Sequence, residues 1–219
     1  MELLVHSLDE TSEGVARTLL SAMAGESEDL LICGARQRPR NMAFLAGTVS
    51  DRLLRDGASP TLCLRVVHPG IAGQPERLLL PLAGHPRGAG ALLPVLRLFN
   101  GDLTHLDLLL VQPVPRWQRL QIDADLRARA QSQHAPYLGR VADEIREGLR
   151  PWSPTIHKTI ALSADPPQEI VKQANAWRSQ LILLGASERS LFEKTFLGRP
   201  AEQVMRAAPT DVAIFRAAR

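Results

Sequence analysis

Two apolar runs, "LLIC" at Leu30–Cys33 and "LILL" at Leu181–Leu184, each lead into Gly-Ala and a polar loop. A second glycine closes each loop, Gly47 after Gly34 and Gly198 after Gly185. Apolar throughout rather than alternating, such runs predict parallel strands covered on both faces. The likeness extends further. Sliding the chain by 151 residues puts Leu31 on Ile182, Gly34 on Gly185, Leu45 on Phe196, Arg55 on Arg206 and Arg65 on Arg216. Internal self-similarity of this kind points to a duplicated unit.

Each copy predicts the same order of elements. An apolar run (Leu3–Leu8; Ile156–Leu162) precedes an amphipathic helix, marked in the second copy by Ile170, Val171, Ala174 and Trp177 at helical spacing. The continuous strand, the glycine-flanked loop and a second helix follow (about Thr48–Arg55; about Pro200–Ala207, with Pro200 in its first turn). A last strand closes each copy (Thr61–Val66; Asp211–Phe215).

Material present once lies between. "RLLLPLAG" (Arg77–Gly84) and "THLDLLLVQPV" (Thr104–Val114) read as strands. "AGALLPVLRLFNG" (Ala89–Gly101) reads as a helix stopped at Asn100-Gly101, and "YLGRVADEIREGLR" (Tyr137–Arg150) as another. The polar stretch from Pro113 to Pro136 reads as a partly helical surface excursion. Residues 76–219 therefore form a complete five-stranded open α/β unit, residues 1–67 a βαβαβ half of the same unit, and 68–75 a linker.

Bulk properties narrow the classes. With 45% hydrophobic and 22% charged residues the composition is that of a soluble globular chain. No apolar run approaches the roughly 20 residues of a membrane span, and "MELLVHSLDE" lacks the pattern of a signal peptide. Cys33 and Cys63 both sit in apolar runs, without CxxC or metal spacing, as expected of buried reduced thiols in a cytoplasmic protein. The net charge of +3 and 4% aromatic content argue against nucleic acid as a partner. Trp117 and Trp152 flank prolines and are expected to pack as caps. No GxSxG, HExxH or Walker loop is present, so no catalytic residue and no metal ligand is assigned.

The stretch "LILLGASERSLFEKTFLGRPAEQVMRAAPTDVAIFR" resembles the universal stress protein family, whose nucleotide-binding members carry G-x2-G-x9-G followed by Ser or Thr. Gly185 and Gly198 match the outer glycines, and "APTDVAIFR" (Ala208–Arg216) matches the closing strand. The resemblance implies an open parallel sheet of order 3-2-1-4-5, adenine-nucleotide alpha-hydrolase-like or Rossmann-like, with helices on both faces and a partial second copy. It implies a binding crevice formed by Ala83, Gly84, His85, Val111, Gly185, Ser187, Gly198 and Arg199, with Gly34, Gly47 and Thr48 as counterparts in the half unit.

Departures from the motif weigh against strong binding. A phosphate rests on backbone N–H groups and a helix N-terminus, which glycines expose. Here the middle glycine is Glu188, or Gln37 in the half unit, and Glu188 repels phosphate by roughly 1 kcal/mol or more at close range. Arg199 replaces the Ser or Thr, though it could itself donate to phosphate. Ala83 stands where binding members carry Asp, a first loop more like that of universal stress domains fused to membrane transporters. ATP or AMP is therefore expected to bind weakly or not at all. His85 could touch a ligand or be a plain loop residue, and "RQRPR" (Arg36–Arg40) could grip an anion or be solvated. A regulatory module is the first functional reading; an ATP- or AMP-binding protein, or an ATP-dependent enzyme on the same fold, is the second. A start directly on a strand suggests that the half unit has lost its upstream part, or that the chain is a piece of a longer polypeptide, with a transporter's cytosolic tail as candidate parent.

The resemblance also implies self-association, because family dimers pair their fifth strands antiparallel. A bare edge such as "TLCLRV" invites pairing. Thr61–Val66 and Asp211–Phe215 are expected to pair antiparallel within one chain. A homodimer is expected to bury the remaining flank of the half unit, since about 65 residues alone bury little surface.

Overall fold

The computed structural model describes residues 7–9, 14–23, 30–36, 44–45, 47–67, 75–84, 90–185 and 200–217. Seven strands form one sheet: β1 (Leu31–Gly34), β2 (Thr61–Arg65), β3 (Arg77–Leu82), β4 (His105–Pro113), β5 (Thr155–Ser163), β6 (Leu181–Gly185) and β7 (Asp211–Arg216). Their order is β1-β2-β7-β6-β3-β4-β5. Five of them, β5-β4-β3-β6-β7, are all parallel and reproduce the expected 3-2-1-4-5 order. β1 and β2 are parallel to each other.

The two parts join through β2 and β7, which run antiparallel with Thr61 opposite Arg216, Cys63 opposite Ile214 and Arg65 opposite Val212. The expected pairing is thus present within one chain, and both strands lie inside the sheet. Two arginines related by the 151-residue offset reach across this seam. Arg216 is fully buried and donates to the Ser59 carbonyl at 2.7 Å and to Thr61 Oγ1 at 3.2 Å. Arg65 donates to the Ala208 carbonyl at 3.2 Å, and its guanidinium lies over the Phe44 ring. Asp211 accepts from the Val67 N–H at 2.7 Å.

Helices cover both faces. α2 (Val49–Asp56), α5 (Pro166–Ala176) and α6 (Pro200–Ala207) lie on one side, with α1 (Val15–Ala22) packed against α2; α3 (Leu93–Leu98) and α4 (Ala124–Gly148) lie on the other. The offset of 151 carries α1 onto the start of α5, α2 onto α6 and β2 onto the last five residues of β7. Leu78, Leu80, Leu106, Leu108, Val95, Leu138 and Val141 build the core under α3 and α4. Leu79, Leu109, Ile182, Ile214, Val171 and Met205 build the core under α5 and α6. Each strand of the middle sheet feeds both cores, which is why its sequence is continuously apolar.

Three expectations change. α4 begins at Ala124, not Tyr137: Asp123 caps it by accepting from the Leu126 N–H at 2.8 Å, and Pro136 lies inside the helix. Ser132, whose carbonyl loses the Pro136 donor, and Pro136 are both exposed, so water can serve that carbonyl. Trp117 does not pack as a cap; it is 72% exposed, in a 3-10 turn at Arg116–Gln121. Trp152 does pack against the core. The strand read at Leu3–Leu8 falls mostly outside the described residues; Ser7 and Leu8 carry no regular structure. Among the described residues no helix is long and apolar enough to cross a membrane.

Candidate functional site

The sheet parts at one place. The β3–β4 ladder runs the full length of β3, to Leu82 opposite Leu110, and β6 pairs with β7 to its end, Gly185 opposite Phe215. Between them β3 and β6 pair only at Leu78–Leu181 and Leu79–Ile182. Beyond those pairs the carboxyl ends separate, and Pro81 has no N–H to offer a ladder. This is also where the strand order reverses, the position at which open α/β sheets take their ligands.

Four of the eight positions read as a crevice lie at this end of the sheet. Ala83 and Gly84 follow β3, Val111 lies one residue past the last β3–β4 pair, and Gly185 ends β6. Ala83, Gly84 and Gly185 are exposed. Gly84 has φ +75°, a left-handed conformation that glycine adopts without steric cost. Among the described residues, a Cβ on Gly185 would meet Leu92 Cδ2 at 4.0 Å, an ordinary contact distance. His85, Ser187, Gly198 and Arg199 lie outside the described residues, as do Gln37 and Glu188.

The counterpart in the amino-terminal part is closed by the chain's own oxygens. Gly34 ends β1, and its carbonyl accepts from Ser50 Oγ at 2.7 Å. Gly47 has φ +71° and leads into Thr48, the N-cap of α2. Thr48 Oγ1 accepts from the Asp51 N–H at 3.0 Å, and Asp51 reaches back to the Gly47 N–H at 3.3 Å. This reciprocal cap uses donors that an anion would otherwise find at a helix start. A second carboxylate goes further. Glu202, in the first turn of α6, accepts from the Phe44 N–H at 2.7 Å and the Leu45 N–H at 2.8 Å. It is 6% exposed. Two successive backbone N–H groups gripping one carboxylate is the arrangement by which loops hold anions, and here the anion is internal.

The sequence reading missed Glu202. The signal was available, because the 151-residue offset places Asp51 on Glu202: both copies carry an acid at the same point of the same helix.

Other polar groups lie at the opposite end of the sheet. Asp107, 2% exposed, bonds His157 Nδ1 at 2.9 Å and faces Arg77 Nε at 3.8 Å, tying the edge strand β5 to β4. A cavity of about 290 Å³ lined by Asn175, Arg178, Ser179, Thr210 and Asp211 opens at the amino ends of β6 and β7. It lies away from the parted strands, and the topology favours the latter as the ligand site. Among the described residues no three His, Cys, Asp or Glu side chains could hold a metal ion.

A family model described as "Universal stress protein family" matches residues 75–216. No curated protein matches the chain. Among solved structures, a universal stress protein from Archaeoglobus fulgidus DSM 4304 is similar with a TM-score of 0.58 at 18% identity, over 93% of this chain and 65% of that one. A putative universal stress protein from Pseudomonas aeruginosa UCBPP-PA14 gives 0.57 at 18% identity, over 93% and 68%. A functionally unknown protein from Pseudomonas aeruginosa PAO1 gives 0.56 at 17% identity, again over 93% and 68%. The chain spans about two thirds of the length of these structures, and likeness at this identity concerns the fold.

Proposed function

This chain belongs to the universal stress protein family, and on that premise we propose that it is a regulatory binding module rather than an enzyme, built as a tandem. Residues 1–67 are a partial unit, 68–75 a linker and 76–219 a complete unit. The observation that carries the reading is the antiparallel β2–β7 ladder, which joins the two parts edge to edge as a dimer of separate units would. The offset that relates α1 to α5 and α2 to α6 supports it, as does the likeness of the three solved structures over 93% of the chain.

Nucleotide binding is weak in this reading. In the partial unit, Glu202 and Asp51 occupy backbone donors of the loop and helix start. In the complete unit, Ala83 stands in place of the acid found in nucleotide-binding relatives, and Glu188 and Arg199 replace a glycine and a hydroxyl residue. Calorimetry with ATP is expected to give a dissociation constant well above micromolar; micromolar or tighter binding overturns this. The open crevice at Gly84 and Gly185 favours one other reading, an ATP- or AMP-binding protein or an ATP-dependent enzyme on the same fold. Nucleotide that stays with the protein through gel filtration, identified by mass spectrometry after denaturation, would select it.

The module acts through association, in the cytoplasm, on protein rather than nucleic acid. Its first loop keeps a membrane transporter as the proposed partner or parent. Because β2 and β7 are consumed within the chain, the proposed homodimer uses another surface. α2 lies on one face of β1 and β2, and Ile32, on the other face, is 53% exposed, with half-buried Leu30 and Leu64 on that face too. A second copy covering that face would bury them. The expected mass in solution at micromolar concentration is twice the 24.0 kDa of the chain; a monomer there overturns the dimer alone.

A further inference from the structure

Cys33 and Cys63 face each other as Cα partners on β1 and β2, in a part of the fold that the proposed binding role does not use. We propose that they form a hydroperoxide-reactive thiol pair, in which Cys33 is the sulfur oxidised and Cys63 the thiol that resolves it as an intramolecular disulfide.

The geometry supplies the first argument. Neighbouring strands run about 4.7–4.9 Å apart, within the 4.4–6.8 Å Cα separation that a disulfide spans. Both side chains belong to the core under α2. Access divides the roles: Cys63 is fully buried, whereas Cys33 is half-buried on the outermost described strand. A peroxide can reach one sulfur, and the other waits behind it.

The electrostatics agree. The Cys63 thiol hydrogen-bonds the Cys33 sulfur and lowers the Cys33 pKa to about 7; Ser50 acts in the same direction and burial opposes both. Ser50 has a single hydroxyl proton, which also serves the Gly34 carbonyl, so Cys63 is the principal donor. The same bond pushes Cys63 up, as do burial and the charge of Asp51. Thiolate therefore accumulates on the accessible sulfur, which is the one that must be the nucleophile.

The chemistry balances without a cofactor. The Cys33 thiolate attacks one oxygen of ROOH; the S–O bond forms, the O–O bond breaks, and the departing alkoxide takes a proton to become ROH. Cys33 is oxidised by two electrons to the sulfenic acid and the peroxide is reduced. The Cys63 sulfur then attacks the Cys33 sulfur; the S–S bond forms, the S–O bond breaks, and hydroxide leaves with the Cys63 proton as water. A disulfide next to a half-buried edge-strand position is open to a dithiol, which reduces it by exchange.

The chain has only two cysteines, so any intramolecular disulfide is Cys33–Cys63. The test is intact mass of the full-length reduced protein after a tenfold excess of hydrogen peroxide near pH 7. The expected product is lighter by about 2 Da, monomeric in disulfide linkage, and restored by dithiothreitol. It should form about tenfold faster than free cysteine is oxidised, given the larger thiolate fraction. Cys63→Ser is expected to halt at a Cys33 sulfenic acid that dimedone traps, and Cys33→Ser to remain unmodified. The proposal is overturned if wild-type protein keeps two alkylatable thiols under these conditions, or if its disulfide joins two chains. It is also overturned if dimedone labels Cys63 in Cys33→Ser but not Cys33 in Cys63→Ser. The wild-type arm decides even where a variant fails to fold.

Discussion

Replacing Arg216 with leucine lowers the stability of the protein by about 3–5 kcal/mol, the cost of breaking a buried charged hydrogen-bond set. For a chain of this size that corresponds to a fall in Tm of roughly 10 °C. Arg216 is fully buried in β7, opposite Thr61. Its guanidinium serves the Ser59 carbonyl at 2.7 Å, Thr61 Oγ1 at 3.2 Å and the Ala217 carbonyl at 3.0 Å. Leucine removes all of these donors; the Ser59 carbonyl keeps Thr61 Oγ1 at 3.1 Å, whereas the buried Thr61 hydroxyl loses the donor it accepted from. Each abandoned acceptor costs about 1–3 kcal/mol. Two features sharpen the expectation. A Cβ on Gly57 would lie 2.9 Å from Arg216 Nη2 and 2.8 Å from the Leu53 carbonyl, so the bare backbone of Gly57 packs directly against the guanidinium. Lysine is also expected to fail, because one ammonium on a flexible stem cannot serve diverging acceptors as a planar fork does. Arg146→Ala, at an exposed i,i+3 pair with Asp143, provides the comparison and should change stability by about 0.5 kcal/mol at most. Chemical denaturation of the three variants checks this. A loss at Arg216→Leu no larger than at Arg146→Ala would mean that the arginine does not hold the seam.

The seam was legible in the sequence, and its fastening was not. The apolar runs, the strand order and the pairing of Thr61–Val66 with Asp211–Phe215 follow from periodicity, from the 151-residue offset and from the family resemblance. The offset also aligns Arg65 with Arg216, yet alignment alone does not say that each reaches into the other part's turn. That depends on register, which places Arg216 beside Ser59 and Arg65 beside Ala208. Helix α4 was cut short because Pro136 reads as a boundary. Its side lies on the exposed face, where a lost hydrogen bond is cheap, and the cap at Asp123 sets the real start. The parting of β3 and β6, where the crevice is proposed, was legible as a place because it follows from topology. The charge of the crevice was not, since no periodicity in the sequence dictates where His85, Ser187, Glu188, Gly198 and Arg199 sit, and these lie outside the described residues. Glu202 was missed for a different reason. An acid in the first turn of a helix is explained by the helix dipole alone, and nothing local signals that its carboxylate also holds a loop 157 residues away.

That second role gives the other large expected effect. Glu202→Ala leaves the N–H groups of Phe44 and Leu45 without their acceptor in a region where both residues are buried. Two orphaned buried donors cost about 2–5 kcal/mol together. Glu202→Gln keeps one carbonyl oxygen and turns its amide donor toward donors, so it should lose an intermediate amount. Asp51→Ala, which removes the reciprocal cap of α2 but no buried carboxylate, should cost about 1 kcal/mol. The order, alanine at 202 worst, glutamine at 202 next, alanine at 51 least, is read from denaturation midpoints. A more specific consequence separates an anion cradle from ordinary packing. If the two N–H groups form an anion seat filled by the chain itself, emptying it creates a site for an anion from solution. Inorganic phosphate should then raise the Tm of Glu202→Ala, by mass action on the folded state, while leaving Glu202→Gln and wild-type protein nearly unchanged. An equal rise in all three would assign the effect to general salt stabilisation. No rise in any of them, with the alanine variant still destabilised, would show that Glu202 acts only as a fastening and that this loop has no capacity for anions.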